Sequence, residues 1–387
     1  MKQAVLSKKC QLEVERGRIL LNEKDLKPRD LDNEFVHFYN QHGEFLASGY
    51  LAKQNKGLGW VLSRESVTWA DFGLQALVAA AKEKRQAYLQ DTGTTAFRVF
   101  NQEGDGLPGL TVDLYGDHLL FSWYNAFVFQ QKEDIIACFQ AIYPECLGAY
   151  EKVRFQGPGY ETAHLYGETA PDHFLIAENG VRYQVFLDDG WMTGIFLDQH
   201  EVRKDLAQGL AQGQRVLNLF SYTAAFSVAA IAGGAVETVS VDLAKRSREL
   251  SQAHFQANGM GLDSHALVVM DTFEYLRYAA RKGLTFDVII IDPPSFARNK
   301  KQVFSVSKDY HRLVEESLKI LAPQGKMLLS TNAAQLSLDK FKQEIQKGMG
   351  ETSYTIEKVY RLPQDFPSYA EEPTSNYLKV IQIRVDE

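Results

Sequence analysis

The run VIIIDPPSF, residues 288–296, is an unbroken apolar stretch that ends in Asp292, Pro293 and Pro294. It reads as a buried strand that delivers an aspartate at its carboxyl end and stops at the prolines. Upstream, VLNLFSYTAAF (216–226) repeats the pattern, an apolar strand followed by Asn218-x-Phe220-x-Tyr222-Thr223. Working outward from these two, short apolar strands alternate with amphipathic helices from Gly213 onward. Strands are expected at Arg215–Leu219, Thr238–Val241, Ala266–Val269, Phe286–Ile291 and Lys326–Ser330, with further strand elements around 353–361 and 376–384. Helices are expected at Ala224–Ala232, between Asp242 and Asn258, at Phe273–Arg281, at 308–321 and at 337–348. This alternation predicts an α/β domain built on a mostly parallel, doubly wound, Rossmann-like sheet.

In such a sheet, ligands bind beyond the carboxyl ends of the strands. Four strand ends carry polar residues, in the order a class I S-adenosylmethionine site requires. Asn218, Phe220, Ser221, Tyr222 and Thr223 follow the first strand, where a tight turn and a helix N-terminus would face the methionine part of the cofactor. Asp242 ends the second strand, where a carboxylate can accept hydrogen bonds from both ribose hydroxyls. Asp271 follows the third strand, within reach of an adenine amino group, and Asp292 ends the fourth beside the transferring methyl. Taken singly, each is also an ordinary loop-start residue. A dinucleotide enzyme would use Asp242 in the same way, but residues 218–226 contain no glycine, and a pyrophosphate needs a glycine-rich turn for close backbone approach. Just before the first strand, WMTGIFLDQHEVR (191–203) gathers Asp198, Gln199 and Arg203 on a polar edge after Gly194 and Phe196. Arg203 is placed to meet the cofactor carboxylate; a capped helix beginning near Asp198 accounts for the same residues without function.

The rest of the chain is long enough for further domains. Residues 1–70 read as a small β-rich unit, with two strands either side of an Asn40–Gly43 turn and another at Gly57–Arg64. Residues 71–190 read as a middle α+β domain with helices at Phe72–Tyr88 and 128–143 and a tight turn at EGDGLPG (103–109). Residues 191–387 then form the α/β domain. The N-terminal stretch MKQAVLSKKCQLEVERG has no apolar core of a leader peptide and is expected to be mature sequence. No run approaches 18 uninterrupted apolar residues, which excludes a spanning helix. Cys10, Cys138 and Cys146 are an odd count without metal-ligand spacing, the pattern of a reducing cytoplasm and not of a disulfide scaffold. The net charge of -7 disfavours a generic polyanion binder. Charge is uneven, however: residues 1–66 carry 11 Lys/Arg against 9 Asp/Glu, and Arg281, Lys282, Arg298, Lys300, Lys301 and Lys308 bracket the Asp-Pro-Pro stretch as a candidate phosphate-contacting rim.

EGDGLPGLTVDLYG (103–116), TGIFLDQH (193–200), LNLFSYTAAFSVAA (217–230), Asp242 and DPPSFARNK (292–300) together resemble the ribosomal RNA large subunit methyltransferase I family over nearly the whole chain. The resemblance implies an N-terminal PUA domain with an RNA-binding role for roughly residues 1–70, a middle domain and a C-terminal methyltransferase domain. It implies cofactor contacts at Phe196, Gln199, Phe220, Tyr222, Thr223, Asp242, Asp271 and Asp292, and formation of 5-methylcytosine in large-subunit rRNA. One departure bears on that activity. C5 of cytosine is a poor nucleophile, and enzymes that methylate it first add a cysteine thiolate to C6. Family members carry that cysteine after the fifth strand, where this chain reads Leu329-Ser330-Thr331-Asn332-Ala333-Ala334; no cysteine follows Cys146. Ser330 and Thr331 hydroxyls are far harder to ionise than a thiol. Ser-Thr-Asn, and the tail Leu362-Pro-Gln-Asp-Phe366, instead resemble the guanine-N7 methylating half of bifunctional large-subunit methyltransferases, and N7 has a lone pair that needs no covalent activation.

These readings lead to an enzyme that takes a nucleotide of large-subunit ribosomal RNA out of its stack and into a slot at the strand ends. The backbone of Asp292, Pro293 and Pro294 and the Asn332 amide would recognise the base edge, and Phe296 would offer a stacking face. No metal is required. The rival reading is a non-catalytic RNA-binding or ribosome-assembly factor on a degenerate methyltransferase fold. Free rRNA and an assembly intermediate both remain open as substrate, as does a homodimer.

Overall fold

The computed structural model describes residues 2–27, 33–54, 57–298 and 303–386, and its contacts divide the chain into two units. The first comprises Met1–Asp172, Phe186–Thr193 and Gln364–Ser375; the second comprises His173–Val185, Gly194–Pro363 and Asn376–Glu387. The division cuts the chain differently from the three sequence segments, for reasons visible in the packing.

In the first unit, six strands form a mixed sheet in the order 20–21, 57–63, 45–54, 34–39, 2–6, 26–27, with only 2–6 and 34–39 parallel. Val36, Phe38, Ala47 and Leu51 point to one side and close a small core with Cys10 and Val14 of the helix Lys8–Glu15. Tyr50 and Trp60 of the same sheet face the opposite way and belong to a second core, with Phe97, Phe100, Phe121 and Trp123 of a five-stranded sheet. That second sheet runs 162–167, 148–153, 118–123, 110–115, 96–101. Tyr50 stacks on Phe127 at 4.6 Å and donates its hydroxyl to the Pro108 carbonyl at 2.7 Å. The apolar layer continues past residue 70, since Tyr50 and Trp60 share it with Phe97, Phe127 and Trp123.

The glycine-rich turn at 103–109 has a packing reason. Arg85 and Asp105 are a fully buried pair joined by two hydrogen bonds, of 2.8 and 2.6 Å, and Arg85 also donates to the Asp365 carbonyl at 2.8 Å. A Cβ on Gly104 would stand 1.8 Å from the Pro367 carbonyl oxygen, so only glycine lets the 364–375 segment lie against this turn.

The second unit is a seven-stranded sheet. We number its strands β1 (Arg215–Leu219), β2 (Glu237–Asp242), β3 (His265–Val269), β4 (Phe286–Ile291), β5 (Leu321–Thr331), β6 (Tyr354–Tyr360) and β7 (Lys379–Val385), and its main helices α1 (Ala225–Ala232), α2 (Lys245–Ala257), α3 (Thr272–Lys282), α4 (Val306–Leu318) and α5 (Leu338–Met349). The order is β3-β2-β1-β4-β5-β7-β6, with β1 to β5 parallel and β7 antiparallel to both neighbours. The order reverses between β1 and β4, and these are the two strands that carry the motifs read from the sequence. Val288 and Ile290 pack on one side of the sheet while Ile289 and Ile291 pack on the other, which is why β4 is apolar at every position from Val288 to its end. A hairpin of Phe174–Glu178 and Val181–Val185, which the sequence segments place in the middle domain, packs in this unit against α2. Among the described residues no helix is long and apolar enough to cross a membrane.

The Arg85–Asp105 pair yields a stability test. Asp105→Ala leaves a buried guanidinium without its counter-charge and is expected to destabilise the first unit by about 3–5 kcal/mol. Urea unfolding followed by tryptophan fluorescence checks this; an unshifted first transition would contradict it.

Candidate active site

The carboxyl edge of β1, β2, β4 and β5 gathers most of the residues singled out in the sequence. After β1 the chain reaches α1 through residues 220–224, where Phe220 (φ 57°), Tyr222 (φ 48°) and Ala224 (φ 57°) all take left-handed conformations. Each costs a non-glycine residue about 1–2 kcal/mol, so the turn needs fastening. The Ser221 amide donates to the Val241 carbonyl at 3.0 Å and the Tyr222 amide to Asp242 Oδ2 at 2.9 Å. Thr223 Oγ1 donates to the Gly194 carbonyl at 2.7 Å, and the Gly194 amide donates to the Tyr222 hydroxyl at 3.2 Å. Gly194, at φ 97°, therefore pins the TGIFLDQH block to this turn. The Phe196 and Tyr222 rings lie 5.4 Å apart, and Phe196 stays 45% exposed.

Asp242 Oδ1 also accepts from the Ala244 amide at 2.8 Å and the Ser247 hydroxyl at 3.1 Å. A carboxylate offers roughly four acceptor positions. The chain itself supplies three donors to them. Asp242, Ser221 and Tyr222 line a small pocket with Ser247, Leu267 and Val269, so its lining is both polar and apolar. This suits a ribose and a flat ring. It does not suit a pyrophosphate, because the left-handed positions of the turn carry Phe, Tyr and Ala in place of glycines. Asp271 Oδ1 caps α3, accepting from the Phe273 and Glu274 amides at 3.0 and 3.1 Å.

At the end of β4, the Gln199 amide nitrogen donates to Asp292 Oδ2 at 2.7 Å while its oxygen accepts from the buried Ser330 hydroxyl at 3.3 Å. Burial pushes the Asp292 carboxyl up to about 6; the neighbouring Ser330 hydroxyl and the Gln199 amide pull it down, Asp198 adds to the rise and Arg203 opposes it. The strand end is anchored from beneath by Tyr310, whose buried hydroxyl donates to the Ile291 carbonyl at 3.1 Å. Pro293 is buried, Pro294 is exposed, and Phe296 is 61% exposed. The Ser295 hydroxyl donates to Asn332 Oδ1 at 2.8 Å, joining the Asp-Pro-Pro turn to the residue after β5. Lys379, buried opposite Thr331, donates to the Ala333 and Tyr377 carbonyls at 2.9 and 2.8 Å, and burial pushes its ammonium down to about 8.

Several residues sit differently from the sequence expectation. Arg203 is buried, held in a two-pronged pair by Glu178 at 2.6 and 2.7 Å, and donates to the Phe196 carbonyl at 2.7 Å. With its guanidinium committed there, it positions the Phe196 backbone and does not stand free to meet a cofactor carboxylate. Asn218 is fully buried and donates to the Ser227 hydroxyl at 3.0 Å, because alternation along β1 turns it toward α1 and away from the strand end. Phe220 packs toward Phe304 at 6.4 Å. Asp198 accepts from the Tyr377 hydroxyl at 2.8 Å, and the helix expected to begin there starts at His200 after a short turn, Leu197–Gln199. Lys300 and Lys301 of the expected basic rim lie outside the described residues. Sequence reasoning did not identify Gly194 as an anchor, Ser330 as a partner of Gln199, or Glu178 and Lys379 at all. None of the four stands in a motif whose spacing signals its partner.

A sheet of this order with these strand ends is the fold of a class I methyltransferase. Residues 153–382 match the S-adenosylmethionine-dependent methyltransferase family and residues 4–64 a PUA-like domain. The chain is 44% identical to YwbD of Bacillus subtilis (strain 168), provisionally named a ribosomal RNA large subunit methyltransferase, over 88% of both chains. It is 32% identical to ribosomal RNA large subunit methyltransferase I of Aeromonas hydrophila, over 92% of this chain and 91% of that one. The crystal structure of SMU.776, provisionally described as a methyltransferase and complexed with SAH, superposes with a TM-score of 0.95 at 51% identity, covering 100% of both chains. The chain belongs to the ribosomal RNA large subunit methyltransferase I family of S-adenosylmethionine-dependent enzymes. S-adenosylmethionine is its cofactor.

Asp242 links the turn after β1 to the pocket. Asp242→Ala is expected to weaken S-adenosylmethionine binding at least about tenfold, the scale of a lost hydrogen bond to a charged group. Calorimetric titration with S-adenosylhomocysteine checks this, and an unchanged affinity would show that the turn is held without the carboxylate.

Proposed function

We propose that this protein methylates a base nitrogen of large-subunit ribosomal RNA, guanine N7 being the atom whose chemistry the site suits best. The observation that carries the reading is the side chains at the end of β5. Ser330 is buried with its hydroxyl committed to Gln199. Thr331 is buried with its oxygen accepting from the Ala333 amide at 3.1 Å, and Asn332 is exposed. None is a thiol. Cys10, Cys138 and Cys146 all belong to the other unit, where burial pushes Cys10 and Cys146 up to about 12 and raises Cys138 as well. A thiol held that high is almost wholly protonated at neutral pH and does not add to a pyrimidine ring.

S-adenosylmethionine supplies a methyl activated as a sulfonium. The lone pair of the base nitrogen forms the new N–CH₃ bond as the S–CH₃ bond breaks toward sulfur, so positive charge appears on the base. Asp292 places a carboxylate at the strand end where that charge develops, and Phe296 offers an exposed face for stacking. Pro294 and the Asn332 side chain, fixed by Ser295, complete the edge that reads the base. Phe196, Tyr222, Thr223, Asp242 and Asp271 would hold the cofactor. Roughly residues 1–70 would bind RNA through the PUA-like domain and 71–190 would connect it to the methyltransferase domain at 191–387. A cytoplasmic location accords with three free cysteines.

Incubating the protein with methyl-labelled S-adenosylmethionine and unmodified large-subunit rRNA, then digesting to nucleosides for mass spectrometry, tests the reading. Labelled 7-methylguanosine is expected, and labelled 5-methylcytidine would overturn it. Replacing all three cysteines by alanine is expected to leave the rate within about threefold of the parent, because no covalent adduct is formed. Loss of transfer in a folded triple variant would contradict this.

A further inference from the structure

We propose that Gln199 and Ser330 are positioning residues that hold the Asp292 carboxylate ionised and in one orientation, so that it stabilises the positive charge arriving on the methylated base. This deepens the proposed function and rests on it.

The geometry joins three separate parts of the methyltransferase unit. Ile291 pairs with Leu329 in the β4–β5 register, which makes Asp292 and Ser330 neighbours on adjacent parallel strands just beyond that pair. Gln199 comes from the turn that precedes the sheet and lies across both. Its Nε2 donates to Asp292 Oδ2 at 2.7 Å and its Oε1 accepts from Ser330 Oγ at 3.3 Å. Gln199 is 5% and Ser330 1% exposed, so water does not substitute for either contact. The amide also has a direction. An ionised carboxylate only accepts, so it selects the Nε2 end of Gln199, and the Oε1 end is then the one that must find a donor, which Ser330 supplies. A hydroxyl is the side chain this arrangement needs at position 330. That gives the residue standing near the family's nucleophilic thiol a defined task of its own.

The surroundings explain why a clamp is needed. Burial and Asp198 both favour the protonated carboxyl, and Arg203, paired with Glu178, opposes them only partly. Tyr310 lies beneath with its hydroxyl committed to the Ile291 carbonyl. Donors aimed at the carboxylate are the remaining means of keeping its charge, and a neutral Asp292 would offer the cationic base nothing.

The test uses full-length protein carrying carboxyl-¹³C aspartate, with the Asp292 resonance assigned by its absence in Asp292→Asn. Titration is followed in the wild type, Gln199→Leu, Ser330→Ala and Ser330→Thr. Gln199→Leu and Ser330→Ala are expected to raise the Asp292 midpoint by about one pH unit, a tenfold change in proton affinity. Ser330→Thr, which keeps the hydroxyl, is expected to stay at the wild-type value. The acid limb of kcat/KM for rRNA methylation is expected to move upward with the midpoint in both variants. A midpoint that stays put in both variants overturns the inference, as does a midpoint that moves without the acid limb following. If the wild type transfers no methyl to a base nitrogen, the proposed function fails instead, and the titration still decides whether Gln199 and Ser330 govern the Asp292 charge.

Discussion

The hydrogen bond from the Tyr222 main-chain amide to Asp242 ties the ends of β1 and β2 together, and most of the site's geometry follows from it. The turn it secures places three non-glycine residues in left-handed conformations within five positions, a shape the chain would leave if the fastening were lost. Through Thr223 and the Tyr222 hydroxyl the same turn grips Gly194, and Gly194 sets the course of the TGIFLDQH block. That block carries Gln199 to the ends of β4 and β5. One short turn thus connects the pocket beside Asp242 with the carboxylate at Asp292, and the sheet provides the rigid frame on which both stand.

The α/β fold was legible because β4 runs apolar from Val288 through Ile291 and is followed by Asp292 and two prolines, a pattern that a strand exposed on one face could not carry. The strand-end aspartates were legible for a related reason, since polar residues closing apolar runs mark the edge where ligands bind. What the sequence could not show were partners determined by direction and distance. Asn218 lies in the right motif but alternation turns it toward Ser227. Arg203 lies on the right segment but meets Glu178, which arrives from a hairpin the sequence grouped with another domain. Nor could the strand pattern of residues 1–70 show that Tyr50 and Trp60 share one apolar layer with Phe127. Ser330 is a residue for which the sequence suggested no role. As a substitute nucleophile it has little to offer, yet its hydroxyl is the donor that completes the Gln199 amide.

Two demands meet at the end of β4. The site must exclude water to favour methyl transfer, and exclusion of water works against an ionised carboxylate. Placing Asp292 beside a buried amide that is itself held by a buried hydroxyl reconciles the two. Such an arrangement matches a neutral nucleophile that becomes cationic, which is the course of methylation at a ring nitrogen. For the proposed nitrogen target a thiol is unnecessary, since nothing has to be added to the base beforehand. The three cysteines lie in the other unit, Cys10 buried and Cys138 and Cys146 partly so, and burial raises all three thiols, which accords with the proposed nitrogen target.

The most direct measurement is covalent trapping with large-subunit rRNA in which cytidine is replaced by 5-fluorocytidine. An enzyme that adds a thiolate to C6 and methylates C5 cannot release this base, because fluorine does not leave as a proton does, and it becomes fixed to the RNA in a denaturation-resistant complex. Direct attack by a base nitrogen on the methyl group predicts no such complex and continued methyl transfer to the same RNA. A stable protein–RNA adduct formed only in the presence of S-adenosylmethionine would contradict it.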